Sequence, residues 1–288
     1  MMNIRKFALY LCLPVVTLFF FCSELIAAPR VNLRAKAAML MNIDSGNILY
    51  AKNPNKPMQP ASLTKILSLY LVYEAINEGK IHLSDRVKIS TNAQLTGGSS
   101  MYLVDETEAA LEDLIKGMAI VSANDASIAI AEHIGGSVNG FVKMMNDKAQ
   151  VLGMKHSHFI NPNGLPAKGQ VTTARDILIL SHAYIRDFPE ALQLHSMQEY
   201  TYHDITQHNS NTLLKQYEDV DGLKTGFVRA SGFHLVATAK RRDTRLIAVV
   251  MGEKNPKIRE REAVKLLEKG FRMTSARGKA SLSSKIRS

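Results

Sequence analysis

The chain has 288 residues, 46% apolar and 22% charged, ordinary values for a globular protein. That apolar content excludes disorder over most of the length, and 17 glycines with 9 prolines exclude collagen-like and low-complexity classes. The net charge is +10, but Arg272, Arg277, Lys279, Lys285 and Arg287 concentrate charge in an acid-free end. The body is only mildly basic and carries no nucleic-acid footprint.

Residues 1–28 read as a secretory signal peptide. Arg5 and Lys6 form a basic start, Phe7 to Cys22 is a run of 16 uncharged residues, and Ala27-Ala28 supplies small residues for cleavage before Pro29. The run is shorter than the roughly 20 residues of a bilayer span; an uncleaved anchor is the alternative. Cys12 and Cys22 are the two cysteines, so the mature chain has no disulfide and no thiol nucleophile. The protein is expected to act outside the cytoplasm, periplasmic or associated with the cell wall. Membrane contact is expected only through the signal segment or the basic tail.

Ala37 to Ile43 and Asn47 to Ala51 flank Asp44-Ser45-Gly46 and predict a β-hairpin. From Ser62 the period changes: Ile66, Leu69, Tyr70, Tyr73 and Ile76 follow helical spacing until Gly79. Further helices are expected over 108–117, 125–133, 141–152 and 173–186. Strands are expected over 200–205, 222–228, 233–240 and 245–251, with a turn at Arg242-Asp243-Thr244. A helix over 257–271 closes the body, and residues 273–288 read as a basic, disordered tail. Hairpin, helices, strands, helix is an α+β order, not an alternating βαβ one.

Three short elements can carry chemistry. Ser62-Leu63-Thr64-Lys65 opens the first helix, and the i, i+3 spacing puts Ser62 and Lys65 on one face. There the helix dipole favours developing negative charge. Lys65 can act as a base only if burial or a second cation lowers its pKa. Lys224-Thr225-Gly226 lies in the strand-rich part. It offers that second cation, a hydroxyl for a carboxylate, and a bare backbone against which a substrate can lie. Ser122-Ala123-Asn124 lies in a break between helices and offers a hydroxyl relay and an amide; Ser137-Val138-Asn139 is a rival that reads as a helix-to-helix turn.

S-x-x-K, S-x-N and K-T-G in this order resemble the penicillin-binding proteins and serine β-lactamases. Further stretches resemble one branch, the low-molecular-mass D-alanyl-D-alanine carboxypeptidases. They include Gly98-Ser99-Ser100-Met101, Asn161-Pro162-Asn163-Gly164-Leu165, His208-Asn209-Ser210-Asn211 and Val220-Asp221-Gly222 before the K-T-G. The resemblance implies a transpeptidase-like catalytic domain over 29–272: a five-stranded antiparallel sheet flanked by helices, plus an all-helical subdomain. It implies Ser62 as acylated nucleophile, Lys65 as base, and Ser122 and Asn124 as proton relay and peptide holder. Lys224, Thr225 and Gly226 form the substrate strand, and the N–H groups of Ser62 and Phe227 form the oxyanion hole. Arg259 matches an arginine that meets the terminal carboxylate. The implied substrate is the peptidoglycan pentapeptide stem, with β-lactam antibiotics as covalent inhibitors and no cofactor or metal.

Some relatives carry an arginine where this chain has Ser210. Well-known members continue into a β-rich domain and an amphipathic anchor, both expected to be missing here. No glutamate between Ser122 and Lys224 has an asparagine four positions on, which argues against a class A β-lactamase. His156-Ser157-His158 without H-E-x-x-H argues against a zinc peptidase. The alternatives carried forward are a D,D-endopeptidase that cleaves crosslinks and a non-catalytic wall-binding module.

Overall fold

In the computed structural model, which describes residues 32–285, the expected hairpin is formed by β1 (Ala37–Asn42) and β2 (Ile48–Lys52). The signal segment lies outside the described residues. A single 3-10 turn, Ala61–Leu63, leads into α1 (Thr64–Asn77). Ser62 therefore sits in a tight turn just before the α-helix rather than in its first turn. A short strand pair and small helices follow: β3 (Arg86–Lys88), α2 (Thr91–Gln94), β4 (Glu108–Ala110) and α3 (Leu111–Lys116). The helix expected over 108–117 is thus shared between β4, which pairs with β3, and α3. A π-helical turn, Gly117–Val121, then precedes α4 (Asn124–Gly135) and α5 (Val138–Val151).

Helix α6 (Ala174–Asp187) starts where Thr173 caps the Asp176 N–H, and α7 (Ala191–His195) follows. The strand expected over 200–205 is instead a separate hairpin of β5 (Glu199–Tyr202) and β6 (Ile205–His208). After α8 (Leu213–Gln216) come β7 (Val220–Val228), β8 (Gly232–Arg241) and β9 (Thr244–Glu253). The last helix, α9 (Pro256–Lys285), does not stop near Phe271. It continues through residues expected to be disordered. Residues 273–285 contain no proline to stop the helix, and adding turns to an existing helix avoids the cost of nucleation.

The main sheet has the order β2-β1-β9-β8-β7, antiparallel throughout. Alternate residues feed two cores. Ala37, Met39, Val236, Ile247, Val249 and Met251 face one cluster with α1 and α6, whereas Ala38, Leu40, Leu235, Ala237, Ala248 and Val250 face the other with α9. Burial on both faces explains why these strands read as continuous apolar runs. Helix α1 is buried around nearly its whole circumference, so its apolar residues are not confined to one stripe. Strand β7 is left as the sheet edge, and it faces the start of α1.

Asp125, 1% exposed, joins the helical part to the loop above it. Its carboxylate accepts from Ser100 Oγ at 2.6 Å, the Met101 N–H at 3.1 Å and the Leu103 N–H at 3.2 Å. Asp125→Ala leaves buried donors unpaired and should cost about 3 kcal/mol of unfolding free energy. Denaturant titration of the full chain measures that loss; a cost within error of zero would show the loop to be held by other contacts.

Candidate active site

The turn that carries Ser62 is strained. Ala61 has φ of 51°, left-handed for a residue with a side chain. Such a conformation costs roughly 1–3 kcal/mol and persists only where neighbours over-determine it. Two glycines press on this turn. Gly164, at φ of +85°, lies so close that a Cβ there would collide with the Ala61 carbonyl. A Cβ on Gly226 would lie 3.1 Å from the Ala61 Cβ and 3.2 Å from the Ser62 nitrogen. The glycine of K-T-G thus lets β7 approach the Ser62 turn more closely than a residue with a side chain could without a shift of a few tenths of an ångström.

Lys65 is fully buried. Its Nζ lies 2.7 Å from the Asn163 carbonyl, 2.7 Å from Asn124 Oδ1 and 3.2 Å from Ser62 Oγ. A neutral amine has two hydrogens and one lone pair. The carbonyl and the amide oxygen can only accept, so they take both hydrogens and the lone pair is left for the Ser62 hydroxyl. Burial, and then the nearby Lys224 charge, holds the Lys65 pKa well below the usual lysine range; Asp125 pulls the other way. Asn124 is fixed by the same logic: its Nδ2 donates to the Gly97 carbonyl at 2.7 Å, which leaves one amide hydrogen for a ligand.

Lys224 projects from β7 and donates to Ser122 Oγ at 2.9 Å and to the Thr225 carbonyl at 3.2 Å. Burial, and then the charge of Arg259, lowers its pKa to about 7. Both lysines are thus shifted in the same direction, and the Lys224 charge is itself one cause of the Lys65 shift. Ser122, at φ of 66° after the π-helical turn, accepts from Lys224 and keeps its own hydrogen to donate. The rival Ser137 caps α5 by accepting the Gly140 N–H at 3.0 Å.

Thr225, Gly226, Phe227 and Arg259 line one cleft of about 460 Å³ with Ser62, Ser122 and Asn124. Phe227 is half-exposed and stacks on Phe233, centroids 4.2 Å apart. Arg259 is 4% exposed; its Nη2 meets Glu260 at 2.9 Å, and its buried Nε–H has no partner among the described residues. Ser210 also lines the cleft. The structure thus brings all nine sequence-selected residues to one place. Among the described residues no three His, Cys, Asp or Glu side chains are grouped to hold a metal.

Sequence reasoning assigned no chemistry to Asn163 and Gly164. Asn163 contributes its backbone carbonyl to Lys65 and Gly164 a close approach to the Ala61 carbonyl, tertiary contacts that spacing along the chain does not show. The segment is locked by Ser68 Oγ donating to the Pro162 carbonyl at 2.7 Å and by the Gly164 N–H donating to Asn161 Oδ1 at 2.8 Å.

The sequence and the fold have counterparts among known proteins. The D-alanyl-D-alanine carboxypeptidase DacF of Bacillus subtilis is 40% identical over 248 residues, which is 82% of this chain but 62% of that protein. The chain therefore spans under two thirds of that relative's length. Penicillin binding protein 5 of Haemophilus influenzae superposes with a TM-score of 0.82 at 41% identity, over 84% of this chain and 72% of that one. Penicillin-binding protein D2 of Listeria monocytogenes, solved in an ampicillin-bound form, gives 0.77 at 31% identity over 84% of this chain and 99% of that one. Residues 24–255 match the peptidase S11 family, described as D-alanyl-D-alanine carboxypeptidase, and with its serine and two lysines in one cleft the chain belongs to that family.

Proposed function

We propose that this chain is a serine-type D-alanyl-D-alanine carboxypeptidase that removes the terminal D-Ala from peptidoglycan pentapeptide stems outside the cytoplasm. The observation that carries the reading is the buried Lys65 amine within hydrogen-bond distance of Ser62 Oγ, with Asn124 Oδ1 and the Asn163 carbonyl as its other two contacts. In the first step Ser62 passes its proton to Lys65, and Oγ bonds to the carbonyl carbon of the penultimate D-Ala. The oxyanion that forms meets the N–H groups of Ser62 and Phe227; one such donor contributes roughly 2.7–4 kcal/mol. The tetrahedral intermediate collapses, the C–N bond breaks, and the leaving amine takes a proton from Lys65 by way of the Ser122 hydroxyl. Water then attacks the Ser62 ester with the same base. Arg259 and Thr225 receive the terminal carboxylate. With a β-lactam the leaving amine remains tethered to the acyl group, so the acyl-enzyme persists.

A D,D-endopeptidase reading shares the nucleophile and base. Ser210, where an arginine would add a second cation for the terminal carboxylate, favours it. Arg259, which lines the cleft and whose buried Nε–H has no partner among the described residues, favours the carboxypeptidase. A non-catalytic wall-binding module would have no use for a lysine held free of its proton beside a serine.

Fluorescent penicillin should label the full chain, Ser62→Ala should abolish labelling, and chelators should leave it unchanged. Lys65→Arg should react about 10²–10⁴-fold more slowly, nearly as impaired as Lys65→Ala, because a guanidinium does not give up its proton. Labelling that survives Ser62→Ala, or a Lys65→Arg enzyme that turns over normally, contradicts these roles.

Acylation requires neutral Lys65, so the rate falls as pH drops through the Lys65 pKa. A charged Lys224 disfavours a second charge at Lys65. Removing it in Lys224→Gln raises the Lys65 pKa, and the acid limb of the residual acylation rate should move to higher pH. A limb that stays in place would assign it to another group.

Pentapeptide monomers and crosslinked dimers offered side by side separate the two hydrolase readings. Release of D-Ala from monomers should be the faster reaction, and Arg259→Ala should lower its kcat/KM by roughly 10- to 100-fold. Preferential conversion of dimers to monomers would establish the endopeptidase instead.

A further inference from the structure

Gly164 and Gly226 pack against the strained turn from two sides, but neither holds the chain that enters it through Gln59 and Pro60. We propose that His234 and Ser231 clamp the Gln59 carbonyl and thereby set the nucleophile turn, which makes His234 a positioning residue for acylation; this rests on the reading of Ser62 as nucleophile.

His234 lies in β8, fully buried, directly across from Gly226 in the β7–β8 pairing. The Gly252 N–H of β9 donates to its Nδ1 at 3.0 Å. Nδ1 therefore carries no proton, and Nε2 must carry it. Nε2 lies 3.1 Å from the Gln59 carbonyl and 2.9 Å from Ser231 Oγ. Ser231 Oγ itself donates to the same carbonyl at 3.1 Å. One carbonyl, two residues ahead of the strained Ala61, is thus tied to the β8–β9 core by two converging contacts.

The ring is suited to a fixed role. Burial lowers its pKa to about 4 against the opposing hydrogen bonds to the Gln59 and Phe233 backbone, and the charges of Arg259 and Lys36 add to the lowering. Lys36 Nζ also donates to the Ser231 carbonyl at 3.3 Å, which steadies the second half of the clamp. A protonated ring would set an Nδ1 hydrogen against the Gly252 N–H, so one neutral tautomer holds the arrangement. None of these atoms lies among the groups that exchange protons in the reaction. The clamp acts on where Ser62 Oγ sits, and small displacements of a reacting atom carry large rate penalties.

The test measures benzylpenicillin acylation of the full chain in His234→Leu, His234→Gln, Ser231→Ala and the double variant. The concentration dependence of the rate separates pre-covalent affinity from the acylation rate constant. His234→Leu should lower the rate constant about tenfold or more while affinity stays within about twofold. His234→Gln keeps an N–H donor within reach of Gln59 and should recover most of the rate. Ser231→Ala should lose less than His234→Leu, and the double variant should be no slower than His234→Leu alone, because both contacts serve one carbonyl. If His234→Leu does not fold, Ser231→Ala, which keeps the ring, decides by the same separation of rate from affinity. A wild-type rate constant in the folded variants, a loss confined to the fraction of protein that reacts, or no recovery in folded His234→Gln would overturn the clamp. If the wild-type chain itself fails to acylate at Ser62, the nucleophile reading falls and the clamp falls with it.

Discussion

Two lysines that cannot both remain charged are enclosed in one cleft, and much of the surrounding structure follows from that. Lys65 is fully buried and Lys224 is 2% exposed. An uncompensated ammonium in such a place is expensive, so one of the two must go neutral. Burial, and then the Lys224 charge, push Lys65 well below the usual lysine range, while burial and the Arg259 charge lower Lys224. The pair moves Lys65 toward the neutral amine that the proposed mechanism requires of a base. Arg259, which the cleft holds as a third cation, presses the Lys224 pKa down in turn.

The same cleft depends on backbone fitted to backbone. Ser62 sits in a single 3-10 turn after a left-handed Ala61, closely covered by Gly164 and Gly226. A side chain at either glycine would have to displace the turn. The edge strand β7 brings Lys224, Thr225 and Gly226 to this turn because the sheet order places β7 outermost. Asn124 performs a parallel function on the other wall, where one amide bridges Lys65 to the Gly97 carbonyl. Asp125 beside it draws the 100–103 loop onto α4. The wall of the cleft and the base are therefore set by adjacent residues of one helix start.

Element type was legible where a segment's own pattern decided it. The hairpin, α1, α4, α5, α6 and the three long strands follow their apolar periodicity or runs, and the Thr173 cap starts α6 where expected, whereas the Ser137 cap starts α5 three residues before the expected Phe141. Discrepancies arose where pairing or context decided. Glu108–Ala110 looks helical with its neighbours, yet it becomes a strand because β3 offers it a ladder. The 199–208 segment needed both arms of its hairpin to be seen together. The basic end past Phe271 lacks an apolar stripe, but it continues an existing helix, and extension is far less costly than nucleation.

The sequence by itself determined the chemistry available: a serine three residues before a lysine, a second lysine beside a threonine and glycine, and a serine and asparagine between them in the chain. Those choices are local, and each is written in residue type. Tertiary structure alone decided which lysine loses its proton, since that depends on burial and on charges more than a hundred residues away in the chain. It alone placed the Asn163 carbonyl on Lys65, the bare Cα of Gly164 against Ala61, and the His234 ring behind Gln59. Each of these contributions is a contact between segments remote in the chain, so residue type alone does not show which groups meet.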